Sequence, residues 1–83
     1  MKLERYQEVA LLNDVPEASL RAGDVAMWVD AVPHPAGGET GAVLEIYNAL
    51  GESIGVVTVP LSAIAPLRSD QVPAVRTLTQ AAA

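Results

Sequence analysis

The chain contains no cysteine and no phenylalanine, one tryptophan, one histidine and only five Lys or Arg in 83 residues. Each scarcity removes a class of function. Without cysteine there are no disulfides, no thiolate metal sites and no cysteine nucleophile, and nothing points to an oxidising compartment. With a single histidine, His34, the usual structural zinc sites of three or four N or S donors cannot be assembled. The shortage of bases is sharpest between Tyr6 and Leu67, where Arg21 stands alone against Glu8, Asp14, Glu17, Asp24, Asp30, Glu39, Glu45 and Glu52. One base against eight acids leaves a local net charge of −7. Nucleic-acid binding depends on Lys and Arg releasing phosphate counterions, so it is not expected here, and docking on anionic membranes is disfavoured for the same reason. No window approaches the ~20 apolar residues of a transmembrane helix, and the charged start "MKLERYQEV" has no apolar run of signal-peptide length. The expectation is a soluble cytoplasmic protein.

What is present is aliphatic. Hydrophobic residues make up 51% and charged residues 18% of the chain, the opposite of a disordered composition. At this length one domain is expected, and it buries only about 60% of its unfolded surface. The core must then be built from Val, Leu, Ile and Ala.

Along the chain the pattern is of short strands. "YQEVALLND" reads as a first strand, with Val9 and Leu11 on one face and Ala10 and Leu12 on the other. Its Glu, Ala and Leu would also suit a helix, but the β-like segments that follow favour the strand. "VPEASLRAGD" is a connection. Pro16 holds Val15 extended and suits the first position of a helical turn, Leu20 is an apolar plug, and Ala22-Gly23-Asp24 is a turn. "VAMWVDAV" is a second strand. One face would carry Val25, Met27, Val29 and Ala31; the other Ala26, Trp28, Asp30 and Val32. Because burying Asp30 unpaired would cost several kcal/mol, alternation points the uniformly apolar face inward and Trp28 outward, unless a β-bulge after Asp24 reverses the assignment. "PHPAGGET" is a loop. "GAVLEIYNALGESIGVVTV" is a hairpin. Ala42, Leu44 and Ile46 alternate with Val43, Glu45 and Tyr47 around a loop at Asn48–Glu52. The second run, Ser53 to Val59, is apolar on both faces, as if buried in a closed barrel or a dimer contact. Pro60 stops it. Leu61 to Ala65 suits a 3₁₀ turn, and Pro66-Leu67 resume a short final strand.

These elements add up to an all-β domain, a small SH3-like barrel of about five strands with a 3₁₀ turn before the last strand, spanning residues 1–68. Residues 69–83 form a C-terminal tail expected to be flexible or weakly helical, with Val72, Val75 and Leu78 spaced so that it could dock.

The segments "EVALLNDVPEASLRAGDVAMWV", "GAVLEIYNALGES" and "VVTVPLSAIAPL" resemble a family of small bacterial proteins classified as a domain of unknown function. Its members look like "DVVALLEDLPEEGLKKGDVGTVV", then "YEVEF", "DGET" and "VTLPADQLRPL". The likeness covers Tyr6 to Leu67 and is most specific through Gly23-Asp24. It implies an SH3-like barrel and no catalytic residues. The chain departs from it at "AMWV" for "GTVV", and at Ile46 or Tyr47 for the Phe of "VEF". Both departures fall where the outer sheet is expected.

Few residues here carry chemistry. A catalytic triad would need His34, with Asp30, Glu39 or Thr40 nearby, yet His34 lies between two loop prolines and Ser19, Ser53 and Ser62 lie in turn contexts. Asp14 with Glu17, and Asp24 with Asp30, could bracket a hard cation, but calcium-loop spacing is missing; Asp14 and Asp24 read better as turn residues bonding nearby backbone. "AGGETG" lacks the context of a phosphate cradle. No enzyme, cofactor, metal or small-molecule substrate is therefore expected. An outward Trp28 would be an interface anchor; otherwise it caps the barrel or packs on the tail. The leading expectation is an interaction module that binds a protein partner or forms a homo-oligomer through Trp28, Met27, Tyr47 and Val56. The rival is an acidic accessory or antitoxin-like protein that occupies a basic surface.

Overall fold

The computed structural model describes residues 4–78. Five strands form one sheet: β1 (Gln7–Leu11), β2 (Val25–Val32), β3 (Gly41–Tyr47), β4 (Ser53–Pro60) and β5 (Ile64–Pro66). The order is β4-β3-β2-β1-β5, a meander whose last strand returns beside the first, and every pairing is antiparallel. Two 3₁₀ turns, Pro16–Ala18 and Leu61–Ala63, complete the regular structure; the described residues contain no α-helix. No helix among them is long and apolar enough to cross a membrane. The sheet is open. β4 and β5 are its two edges and do not pair with each other. The closed barrel expected from the strand count is thus not seen. β5 is only three residues long and ends in Pro66, which has no N–H to extend a ladder.

Apolar periodicity selected these strands. Val9 and Leu11 of β1, and Ala42, Leu44 and Ile46 of β3, point from one face into the core, with Ala26, Trp28, Val59, Ala63 and Ile64. The first segment is a strand and not a helix because alternation buries Val9 and Leu11 together against β2 and β5. Leu20 is buried, as a plug should be: Val15 and Leu20 exchange backbone hydrogen bonds of 2.9 and 3.1 Å around the turn begun by Pro16. β4 departs from expectation. Only Val59 is buried, while Ile54 and Val56 are 45% and 65% exposed. Its two-sided apolar pattern reflects an edge strand that packs on the core through Val57 and Val59 and leaves Ile54 and Val56 largely in solvent.

The connections are held by side chains. In the hairpin loop Asn48 Oδ1 accepts the N–H groups of Leu50 and Glu52 at 3.0 and 2.9 Å, and Gly51 takes φ 82°, a region open to Gly. Glu39, at the end of the long loop, accepts from the N–H and hydroxyl of Ser62 at 2.6 and 2.9 Å, and Thr40 C=O accepts from Leu61 N–H at 2.9 Å. The base of that loop is therefore tied to the second 3₁₀ turn.

Beyond β5 the chain turns at Arg68–Gln71 and runs without helix to Leu78, so the weak helix expected for the tail is not formed over these residues. Pro73 removes a donor and holds Val72 extended. Leu78 packs against the core. The last five residues of the tail, 79–83, lie outside the described residues.

Leu44 has no solvent exposure, whereas Leu50 at the hairpin tip is 85% exposed. Leu44→Ala should cost about 2–5 kcal/mol in urea unfolding, and Leu50→Ala less than about 0.5 kcal/mol.

Candidate interaction surface

Asp30 must face water, and a strictly alternating strand would take Trp28 out with it. The strand does not alternate strictly. Trp28 lies opposite Leu44 of β3, but Asp30 lies opposite the very next residue back, Val43, so Val29 is an extra residue and β2 bulges there. The bulge lets Trp28 and Ala31 both face the core while Asp30 stays exposed. Trp28 is 7% exposed, and its Nε1–H donates to the Asp30 carbonyl at 2.6 Å, across the bulge. The outward assignment of Trp28 is corrected accordingly. Between Val25 and Trp28 the faces are the reverse of those expected: Ala26 and Trp28 are buried, and Val25 and Met27 lie on the other side, half-covered.

Of the four residues expected at an interface, the structure brings three to the outer face. Pairing sets Glu8 of β1, Met27 of β2, Glu45 of β3 and Val56 of β4 in one row across the sheet. Tyr47 stands beside the row, exposed; its hydroxyl donates to Glu45 Oε1 at 2.7 Å, and Ser53 donates to Oε2 at 2.6 Å. These two donors, Ser53 first and then Tyr47, hold the Glu45 carboxyl below its usual range; the bond to Glu45 pushes the Tyr47 phenol up. Trp28 is on the opposite face. The row leads to the free edge of β4, which carries no charged residue from Ser53 to Pro60.

The end of the sheet holds a second feature. A cleft of about 440 Å³ lies between the tail (Pro73–Arg76 and Leu78) and the sheet (Asp24–Met27, Ile46, Ile54). Arg76 closes it with a two-pronged grip on Asp24: Nε on Oδ1 at 2.9 Å and Nη2 on Oδ2. Nη2 also donates to the Ser19 carbonyl at 3.1 Å. The bond from Arg76 is the main cause that holds the Asp24 carboxyl below its usual range, and Arg21 N–H, at 2.8 Å, adds to it against the opposing effect of burial. Asp14 and Asp24 do bond nearby backbone, as their turn positions suggest; Asp14 Oδ1 accepts from Ala22 N–H at 2.9 Å.

The residues considered for catalysis do not converge. His34 is exposed and its Nδ1 accepts from Ala36 N–H at 3.1 Å. Glu39 bonds Ser62, Asp30 Oδ1 bonds Ala31 N–H, and Ser53 bonds Glu45. Among the described residues no three His, Asp or Glu side chains gather to hold a metal ion. The Arg76–Asp24 grip was not legible in the sequence, since the partners are 52 residues apart; the one signal was that Arg68 and Arg76 are the only bases beyond Arg21.

No family model, no curated protein and no solved structure matches the chain. The functional reading rests on the geometry.

Trp28, the sole indole, should fluoresce to the blue of free tryptophan and resist acrylamide quenching, and Trp28→Ala should cost about 3–5 kcal/mol in urea unfolding. Asp24 has a depressed folded pKa, so its bond to Arg76 stabilises above the unfolded carboxylate pKa of about 4 and is lost as pH falls through the folded value. Arg76→Ala should therefore lower the thermal midpoint at pH 7, and the gap from the parent should narrow as the pH falls below the unfolded carboxylate value and Asp24 takes up its proton.

Proposed function

We propose that the chain is a non-catalytic interaction module that takes an extended segment of a protein partner, or of a second copy, onto the free edge of β4. The observation that carries this reading is an eight-residue edge strand with no charge, one bulge confined to its start at Ile54, and two exposed aliphatic side chains, Ile54 and Val56. Such an edge presents unpaired N–H and C=O groups, and soluble proteins ordinarily blunt it with Lys, Pro or a covering element. Here the bulge at Ile54 and Pro60 do so at its two ends, and Gly55 to Val59 between them are left bare. Met27, Tyr47 and Val56 supply the adjoining surface, while Trp28 acts from beneath by holding β2 and β3 in place. Five antiparallel strands in meander order, with a 3₁₀ turn before the last, support an SH3-like plan for the module. Glu8 and Glu45 alternate with Met27 and Val56 along the row, which suits a partner with basic side chains and keeps the acidic-accessory reading within the same surface.

A photoreactive side chain placed at Val56 should cross-link, in cells, to a single dominant protein or to a second copy, whereas the same group at Leu50 should not. Val56→Lys should abolish the product and change stability by less than about 0.5 kcal/mol. Equal cross-linking from both positions would sink the reading.

A further inference from the structure

The tail crosses the end of the sheet almost without backbone support. Among the described residues, no backbone hydrogen bond joins residues 72–78 to the rest of the chain, and Val72 and Val75 are almost fully exposed. Two side chains hold it. Arg76 grips Asp24 and the Ser19 carbonyl, and Leu78 packs against the core, where it walls a small apolar cavity of about 220 Å³ with Ala18, Leu20, Ile46 and residues 54–57 of β4. Arg and Leu lie two residues apart, the period at which an extended chain points side chains the same way. The receiving surface is built without the tail: Asp24 is fixed by Arg21 N–H at 2.8 Å, and Leu20 is fixed by its bonds to Val15.

A carboxylate fixed in a turn beside an aliphatic surface suits an Arg and an aliphatic side chain together, and here the tail supplies both in cis. We propose that this site binds an extended segment of a partner protein carrying Arg followed two residues later by Leu or a similar aliphatic, and that residues 72–78 hold it closed until such a segment displaces them. The chemistry of the occupant is read from the contacts that the chain's own Arg76 and Leu78 make. A bidentate Arg–carboxylate pair fixes orientation as well as charge, so Lys would be a poor substitute. The roughly millimolar effective concentration of a tethered tail sets the competition that a partner must overcome. The apolar part of this surface adjoins β4, but Asp24 and Ser19 lie away from its free edge, so the Asp24 and Arg76 variants test this proposal and Val56→Lys tests strand addition.

The test uses the full chain and a labelled synthetic peptide with the sequence of Val72–Leu78. Arg76→Ala with Leu78→Ala removes the occupant's side chains and leaves the receiving residues intact. Fluorescence anisotropy should give binding about tenfold or more tighter to this variant than to the parent, and adding Asp24→Asn should abolish it. Amide spectra check that each variant is folded. If the double variant does not fold, titration of the parent to several times the tether's roughly millimolar concentration should shift the Ser19, Leu20 and Asp24 amides. Equal affinity for parent and folded variant, binding indifferent to Asp24, or unmoved amides in that titration would overturn the proposal. So would a concentration-dependent dimer of the parent that Arg76→Ala abolishes, which would assign the site to tail exchange between copies.

Discussion

A carboxylate that must meet water and an indole large enough to complete the core stand two residues apart on the same strand. Strict alternation gives both the same side. The bulge at Val29 resolves the conflict, and the rest of the sheet depends on it. It places Trp28 against β3 and leaves Asp30 to solvent with a backbone carbonyl that accepts the indole N–H. A chain without phenylalanine has few large side chains with which to fill its centre. Turned outward, Trp28 would leave Leu44 facing a void and the aliphatic core short of volume, and voids in cores are costly.

With the indole inside, the outer face changes character. It becomes a row of alternating acid and apolar side chains, Glu8, Met27, Glu45 and Val56, that ends at an unpaired edge. Tyr47 and Ser53 fix Glu45 in one orientation by direct hydrogen bonds, so the charge beside the edge is positioned and not merely present. The aromatic expected to anchor a partner serves instead as the support under the strands that present the surface.

Much of the fold was legible in the sequence. Val9 with Leu11, the Ala42-Leu44-Ile46 face and the Asn48–Glu52 loop follow from period-two alternation and turn chemistry, which are local. Leu20 was legible because a lone large aliphatic in a polar connection has only the core to go to. What failed was non-local. A bulge carries no composition of its own, so the face of Trp28 could be read only through the register of β3. The burial of β4 was overestimated because an apolar run is the same letters at an edge as at a centre; strand order decides which. The Arg76–Asp24 pair joins a tail residue to a turn 52 residues earlier, and no spacing rule links them. At the candidate surface, Met27, Tyr47 and Val56 were placed together by alternation from the hairpin, while the bulge removed Trp28 from that set.

The position of β1 has a consequence for how the molecule is made. It is first in sequence yet lies between β2 and β5, and its pairing with Ile64–Pro66 spans almost the whole domain. The meander from β1 to β4 can zip hairpin by hairpin from near neighbours, but β5 pairs with a strand some fifty residues back in sequence, a non-local contact that has to wait for the meander to bring the end of β4 beside β1. During synthesis on the ribosome the outer edge of β1 therefore stays open until Ile64–Pro66 have emerged. Residues Ile64–Pro66 then arrive as the closing piece, delivered by the Glu39–Ser62 tie that holds the preceding turn in place. In a nascent chain of this kind, the interval between the fourth strand and the fifth is when wrong partners have two bare edges to choose from.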